Sequence, residues 1–236
     1  MGVRGKIGKK GIIESDSRPL RLKKYPYLFL IVCEDQKTEP YYFNQFLKLI
    51  PPETVYLETV GTGRSALGVV QQSEIEKDKL AAKAGKIVDE VWVIFDKDDA
   101  DLNETTKKNF ENAFELAIKL DHKIGYSNEV FELWLLLHLS AVSFKHPIPR
   151  ATIYKELNKC VKKHNVYSEF VYEHGNTNII DIISKIGNEA KAIERAEALD
   201  VAFVGIEPIE ANPSTKVYKL ILKLRELIVY YSYKPE

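Results

Sequence analysis

The sequence predicts an α/β protein, with a Rossmann-like, mostly parallel sheet flanked by helices and a helical C-terminal portion. From Tyr25 onward, short apolar runs alternate with longer amphipathic stretches, which is the pattern of β-α-β units. Beyond Ser140 the chain has prolines and helical patterns but no long strand pattern. Hydrophobic residues make up 45% of the 236 residues, so the chain can bury a sizeable core.

Four strand and helix units are expected before residue 140. The first strand is the uninterrupted apolar run 27–33, which suits a strand covered on both faces. In the helix that follows, we expect Thr38 as the N-cap and Pro40 in the first turn. The remaining expected elements are strands 54–60, 88–95 and 123–127 and helices 65–85, 104–120 and 131–138.

The C-terminal portion is expected to be helical and to pack on the α/β core. Amphipathic patterns predict helices over 151–163 and 177–199. A last helix is expected to open with Asn212 as the N-cap and Pro213 at the first helical position. The predicted organisation is a basic flexible arm (1–24), a core (25–139) and a helical portion (140–236).

Charge is segregated along the chain, although 34 Lys and Arg balance 34 Asp and Glu overall. Residues 1–24 contain eight basic and two acidic residues, which leaves a mildly acidic body. This pattern is more typical of a solvated tail, and under a nuclease hypothesis we expect the arm to engage a nucleic-acid backbone. The two cysteines, Cys33 and Cys160, lie far apart, which favours a reducing cytoplasm. Apolar runs are far shorter than the about 20 residues of a membrane span.

Acidic residues follow two of the expected strands. Glu34 ends the first strand, and Asp96–Asp99 follow the third. The carboxyl ends of parallel strands meet at one edge of a sheet, where ligands bind. If residues 96–98 stay extended, Asp96 and Asp98 project to the same side. With Glu34 they would form an oxygen cage suited to Mg²⁺ or Mn²⁺, whereas a single aspartate there is more often part of a solvated turn.

Four segments together carry a resemblance to a known family. They are Cys33–Phe43, Phe95–Asp99, Ser127–His138 and Asn212–Thr215. A glutamate at the end of one strand, followed by Asp-x-Asp at the end of a later strand, resembles the Toprim domain of topoisomerases, primases and OLD nucleases. More narrowly, the four segments in this order are similar to the successive signatures of the RloB family, over about residues 25–230.

The resemblance implies a Toprim-like fold with a metal-dependent centre that cleaves phosphodiester bonds. Glu34 corresponds to a general acid/base or metal-binding glutamate, and Asp96 and Asp98 correspond to Asp-x-Asp metal ligands. Family members are linked to phage defence and often to an ABC-type ATPase, so such a partner is expected. Two positions depart from the family pattern: Asp35 replaces a glycine and Glu129 replaces a proline.

Other residues near these motifs are secondary candidates. Asp99 and Glu132 are expected to support the acidic centre, although Glu132 could simply favour a helix N-terminus. Lys37 and Lys97 border the acids and either contact a substrate phosphate or balance charge. Arg64 precedes a helix and is a candidate backbone contact, in what is otherwise an ordinary turn.

The leading hypothesis is a Mg²⁺-dependent or Mn²⁺-dependent nuclease that binds nucleic acid and acts in phage defence. A second hypothesis is a non-catalytic subunit, with a degenerate site, that binds nucleic acid or an ATPase. A third, weaker one is a haloacid-dehalogenase-like phosphatase with Asp96 as nucleophile, although Ala100 occupies the usual Thr or Val position. We also allow for a homo-oligomer.

Overall fold

The computed structural model describes residues 22–233 and confirms the α/β class. The sheet order is β2-β1-β3-β4-β5; the first four strands are parallel, and β5 is antiparallel to β4. Of the expected basic arm, only 22–24 lie within the described residues, where they form a 3₁₀ turn. The strands are β1 Tyr27–Cys33, β2 Val55–Gly61, β3 Glu90–Asp96, β4 Lys123–Asn128 and β5 Ser214–Thr215.

Helices connect the strands and form the whole C-terminal portion apart from β5 and the loops. In chain order they are α1 Thr38–Asn44, α2 Ala66–Ala84, α3 Glu104–Lys119, α4 Glu132–Leu139, α5 Arg150–Lys162, α6 Asn178–Ile186, α7 Glu189–Ala202 and α8 Val217–Ser232. Within residues 22–233, no helix combines the length and the apolar character needed to cross a membrane.

The sheet separates two hydrophobic layers, because successive side chains of a strand point to opposite faces. Phe29 and Ile31 of β1 belong to a core shared with α1 and with helices α4 to α8. Leu28 and Leu30 belong to a second core shared with α2 and α3. The C-terminal helices therefore share one continuous core with the sheet. Trp134 of α4 is completely buried there, and such burial stabilises by about 2 to 3 kcal/mol.

The expectation that the last helix opens at Asn212 is wrong, because α8 begins at Val217. Residues 214–215 instead pair with the end of β4 as an antiparallel strand. The Asn212 side chain does not cap a helix, since its Oδ1 accepts a hydrogen bond from the Ile148 backbone N–H at 2.8 Å.

The helix expected over 177–199 is two helices, separated at Gly187 and Asn188. Gly187 is extended, and a Cβ added there would lie 2.7 Å from the Ile183 carbonyl oxygen. The Asn188 side chain accepts a hydrogen bond from the Lys191 N–H at 2.9 Å, so it starts α7 as an N-cap. The break follows from close packing and a local cap, which apolar periodicity does not reveal.

Candidate active site

Glu34 and Asp96 meet at the carboxyl edge of the sheet. Strands β1 and β3 are neighbours, with Cys33 paired to Ile94, so the residues that follow them emerge side by side. The Glu34 Oε2 accepts a hydrogen bond from the Asp96 backbone N–H at 3.0 Å. Burial raises the pKa of the Glu34 carboxyl to about 8, although that hydrogen bond opposes the shift. Two acids 62 positions apart are thus in contact.

The Asp96 carboxylate has one satisfied and one unsatisfied oxygen. Its Oδ2 accepts a hydrogen bond from the Phe131 N–H, just before α4, at 2.9 Å. Its Oδ1 is buried and has no hydrogen-bond partner among residues 22–233, although the residue as a whole is partly exposed. Burial, then the nearby Glu39 and Asp98 charges, raises the pKa of this carboxyl well above its usual range. An unpaired buried oxygen of this kind is costly unless a ligand satisfies it.

The extended geometry expected for residues 96–98 is wrong. Strand β3 ends at Asp96, and Asp98 has a φ of 45°, in the left-handed region that non-glycine residues seldom adopt. The Lys97 and Asp98 backbone N–H groups donate to the carbonyls of Ser127 and Glu129, at 2.8 and 3.0 Å. Asp98 therefore reaches the same cleft as Asp96 by way of a tight turn rather than by strand alternation.

Arg150, the first residue of α5, supplies a cation from the C-terminal portion. Its Nη2 lies 2.9 Å from Asp99 Oδ1 and 3.5 Å from Asp98 Oδ1. Burial raises the pKa of Asp98, and the Arg150 charge opposes that shift. Asp99, one of the two expected supporting acids, is exposed and pairs with Arg150.

Glu39, in the first turn of α1, is an acidic residue that the sequence analysis missed. It is only 1% exposed, and its Oε2 accepts a hydrogen bond from the Asp35 N–H at 3.1 Å. Its Oε1 is buried without a partner in the described part of the chain. Burial, followed by the Glu34 and Asp35 charges, raises the pKa of Glu39 well above normal. A glutamate five residues after Glu34, next to Pro40 at a helix start, was the available signal.

Glu132, the first residue of α4, is buried and faces the loop that precedes α6. The Tyr172 hydroxyl donates a short hydrogen bond to Glu132 Oε1, and His174 Nδ1 lies 3.7 Å from the same oxygen. The Glu132 carboxylate raises the pKa of His174. Glu132 thus ties the acidic edge to the C-terminal portion.

The acids open into a cleft of about 960 Å³. Lys37 and Arg64, two of the three expected substrate contacts, line it. Lys97, the third, is 4% exposed, and its Nζ lies 2.7 Å from Asp101 Oδ1 and 3.4 Å from Glu129 Oε1. With two carboxylate partners, Lys97 balances charge in this arrangement.

We call the following residues the acidic cluster: Glu34, Asp35, Glu39, Asp96, Asp98 and Glu132. Carboxylate oxygens are the donors that Mg²⁺ prefers, and the unpartnered oxygens of Asp96 and Glu39 would be satisfied by a hard cation. The chemistry of these donors therefore fits a divalent ion. As the side chains stand, no group of three or more His, Cys, Asp or Glu residues within 22–233 is arranged to hold one. Asp98 is instead paired with Arg150.

Asp35, which departs from the family pattern, fits its turn without strain. Its φ is not positive, and its Oδ2 accepts a hydrogen bond from the Thr38 N–H at the start of α1. Asp35 therefore fulfils the capping role that the sequence analysis assigned to Thr38. The position does not require a glycine here.

The chain matches the family model described as "RloB-like protein" over residues 29–224. It belongs to the RloB-like family. No curated protein and no solved structure matches the chain.

In this RloB-like chain, three motif segments supply members of the acidic cluster. The third of these segments and the fourth motif segment build a contact that we call the β4–β5 seam. The seam comprises the side chains of Ser127, Asn128, Glu129, Asn212 and Thr215. Ser127 Oγ lies 3.1 Å from Thr215 Oγ1, and Asn128 Nδ2 donates to two backbone carbonyls. Glu129 Oε1 accepts from Asn212 Nδ2 at 3.1 Å and also faces Lys97. The seam thereby supports the turn that carries Asp98.

Proposed function

We propose that this RloB-like protein is a metal-dependent nuclease that cleaves phosphodiester bonds of DNA or RNA. The observation that carries the proposal is the contact of Glu34 with Asp96 beside a buried Asp96 oxygen that lacks a partner in residues 22–233. Burying several carboxylates together is unfavourable, and a bound cation offsets that cost. A phosphodiester substrate suits such a site, because its oxygens can join the coordination of the cation.

Each residue of the site has a proposed role. Glu34, Asp96 and Asp98 hold Mg²⁺ or Mn²⁺, and Asp99 and Glu132 support them. A bound divalent ion supplies Lewis-acid stabilisation of a phosphoryl oxygen and lowers the pKa of water. Glu34 Oε2 remains next to the Asp96 N–H, where it orients that turn or holds a proton.

Two basic residues of the cleft are proposed to orient the substrate. Lys37 and Arg64 both line the cleft. They would pair with backbone phosphates on either side of the bond to be cut, without reading sequence.

The proposed cellular setting is phage defence in the cytoplasm with an ABC-type ATPase as partner. Its support is the resemblance carried by the four motif segments and the family match over residues 29–224. The partner would control when the nuclease encounters nucleic acid.

Cleavage of labelled single-stranded and duplex DNA and RNA by the full chain tests the proposal, with Mg²⁺ or Mn²⁺ and with or without an ABC-type ATPase from the same locus. We expect Asp96→Asn and Glu34→Gln each to lower the cleavage rate by about 10³-fold or more. Asp78→Asn, at an exposed site on α2, is the matched control and should cleave as the wild type does. Mn²⁺ binding followed by electron paramagnetic resonance should weaken in the Asp96 variant.

A second candidate function is a non-catalytic subunit that binds nucleic acid or an ATPase. It is favoured by the absence, within residues 22–233, of three acidic, His or Cys side chains arranged to hold a metal. Wild-type protein that binds nucleic acid but never cuts it, under every metal and partner condition above, would establish this alternative.

A further inference from the structure

Helix α5 carries a concentration of positive charge that the proposed catalytic chemistry does not use. Residues 150–163 contain five basic side chains and one acidic side chain, whereas the chain after residue 24 is acidic overall. We call four of these residues, which are exposed, the α5 lysines: Lys155, Lys159, Lys162 and Lys163. Among residues 22–233, only Lys159 has a carboxylate within ion-pair distance, that of Glu156.

The spacing of the α5 lysines places them on one side of the helix. Residues three and four apart are neighbours on a helix surface, and the intervals from Lys155 to Lys159 and from Lys159 to Lys162 are four and three. These lysines line a shallow groove of about 770 Å³ together with Tyr154, Asn158 and Val171. At 1.5 Å per residue, the 13 residues of α5 extend about 20 Å, roughly the rise of six base pairs of duplex.

The lysine groove adjoins the cleft that is lined by Glu34, Asp96 and Asp98. Tyr154 lines both, and Arg150 at the start of the same helix reaches the aspartates of the cleft. The ring of Tyr154 packs against Tyr172 with centroids 5.3 Å apart, which fixes an aromatic side chain at the junction. A positively charged groove with an aromatic residue at its end is a combination that binds a nucleic-acid backbone and stacks a base.

We propose that the α5 lysines bind the phosphate backbone of a nucleic acid and lead it past Tyr154 into the cleft. This inference deepens the proposed nuclease function and rests on it for the direction of the path. The binding is electrostatic and independent of sequence, because lysines in a row contact phosphates rather than base edges.

Fluorescence anisotropy tests the path, using the full chain in EDTA so that no cleavage is needed. The probes are fluorescein-labelled 20-mers: single-stranded DNA, single-stranded RNA, duplex DNA and duplex RNA. The test variant replaces all four α5 lysines with alanine, which favours helix. The matched control replaces Lys77, Lys79, Lys108 and Lys119 of α2 and α3, which pack on the opposite face of the sheet.

The α5 variant should bind its best probe at least about tenfold more weakly than the wild type at about 50 mM salt. The slope of log association constant against log salt concentration should decrease in magnitude by about 3, as expected from the loss of four phosphate contacts. The control variant should keep nearly the wild-type affinity, and circular dichroism should show that both variants are folded.

Three results would overturn the path: no binding of any probe by the wild type, an α5 variant that binds as the wild type does, or an equal loss in the control variant. The proposed cleavage is judged separately. If the α5 variant loses binding while the wild type never cuts, nucleic-acid binding by the α5 lysines stands and the nuclease proposal fails, together with the direction of the path. If the wild type cuts and the α5 variant binds normally, the nuclease proposal stands and the α5 path fails.

Discussion

The β4–β5 seam and the acidic cluster are both buried polar regions, and both are built from the motif segments. In the seam, most groups have partners: the Asn212 amide contacts the Ile148 backbone and Glu129, and Ser127 faces Thr215, while Asn128 Oδ1 has none within residues 22–233. In the acidic cluster, like charges are gathered and two oxygens have no partner within residues 22–233. Paired polar groups hold the seam together, whereas several carboxylates gathered at a cleft are the arrangement of a ligand site.

If the seam is structural, breaking it should have the largest effect on stability. Asn212→Ala should lower the free energy of unfolding by about 3 kcal/mol, since it leaves the Ile148 N–H without its acceptor. Urea unfolding followed by circular dichroism measures this change. Asn165→Ala, at an exposed site, should change it by less than about 0.5 kcal/mol. Equal effects of the two variants would contradict the structural role of the seam.

A buried histidine extends the comparison between the two regions, because its side chain is polar but should carry no charge in the folded protein. His138 of α4 is buried, its ring lies 3.4 Å from the Tyr42 hydroxyl, and burial lowers its pKa to about 4 from the ordinary 6.5. Arg195 reinforces that shift. An unfolded histidine is protonated below pH 6.5, so acid favours the unfolded chain. Above pH 6.5 His138 is neutral in both states and leaves the free energy of unfolding unchanged. As the pH falls from 6.5 to about 4, that free energy should decrease, by at most about 3 kcal/mol.

Unfolding experiments between pH 7 and pH 4 test the His138 prediction. His138→Gln removes the titrating group at similar size, so the variant should lose less stability than the wild type over this range. Parallel pH profiles for the two proteins would show that His138 is not the residue responsible.

The acidic cluster should behave oppositely to the seam when one of its groups is made neutral. Asp96→Asn should raise stability in EDTA by about 1 to 2 kcal/mol, since it removes one of several buried like charges. Added Mg²⁺ should stabilise the wild type, by about 2.7 kcal/mol at a hundredfold excess over the dissociation constant, and should stabilise the variant less. Thermal unfolding with and without Mg²⁺ measures both effects. If Asp96→Asn is less stable than the wild type in EDTA, the Asp96 carboxylate has a structural role, as the seam residues do.

The sequence predicted the meeting of Glu34 with the turn after β3, because apolar strands reveal themselves and parallel strands end at one edge. It also predicted most of the helices before residue 140, because amphipathic stretches alternate there with the apolar runs. Strand alternation failed at Asp98, since two backbone hydrogen bonds from β4 and its following loop impose the turn there. Lys97 was ambiguous in sequence, and its partner Glu129 lies 32 residues away.

The C-terminal contribution to the site was beyond sequence reasoning. Arg150, Tyr154 and His174 reach the cleft from helices and loops with no motif of their own. Their positions depend on how α5 packs against the sheet layer, and periodicity identifies a helix without fixing its neighbours. The strand at 214–215 was missed because Asn-Pro-Ser-Thr also has the composition of a helix start.

The tie made by Glu129 has a mechanical consequence. The Glu129 carboxylate contacts Lys97, which lies in the aspartate turn. It also accepts a hydrogen bond from Asn212, which lies 83 positions after Glu129 and just before the final strand and helix. The backbone carbonyl of the same Glu129 accepts a hydrogen bond from the Asp98 N–H. The geometry of the aspartate turn therefore depends on residues that do not line the cleft.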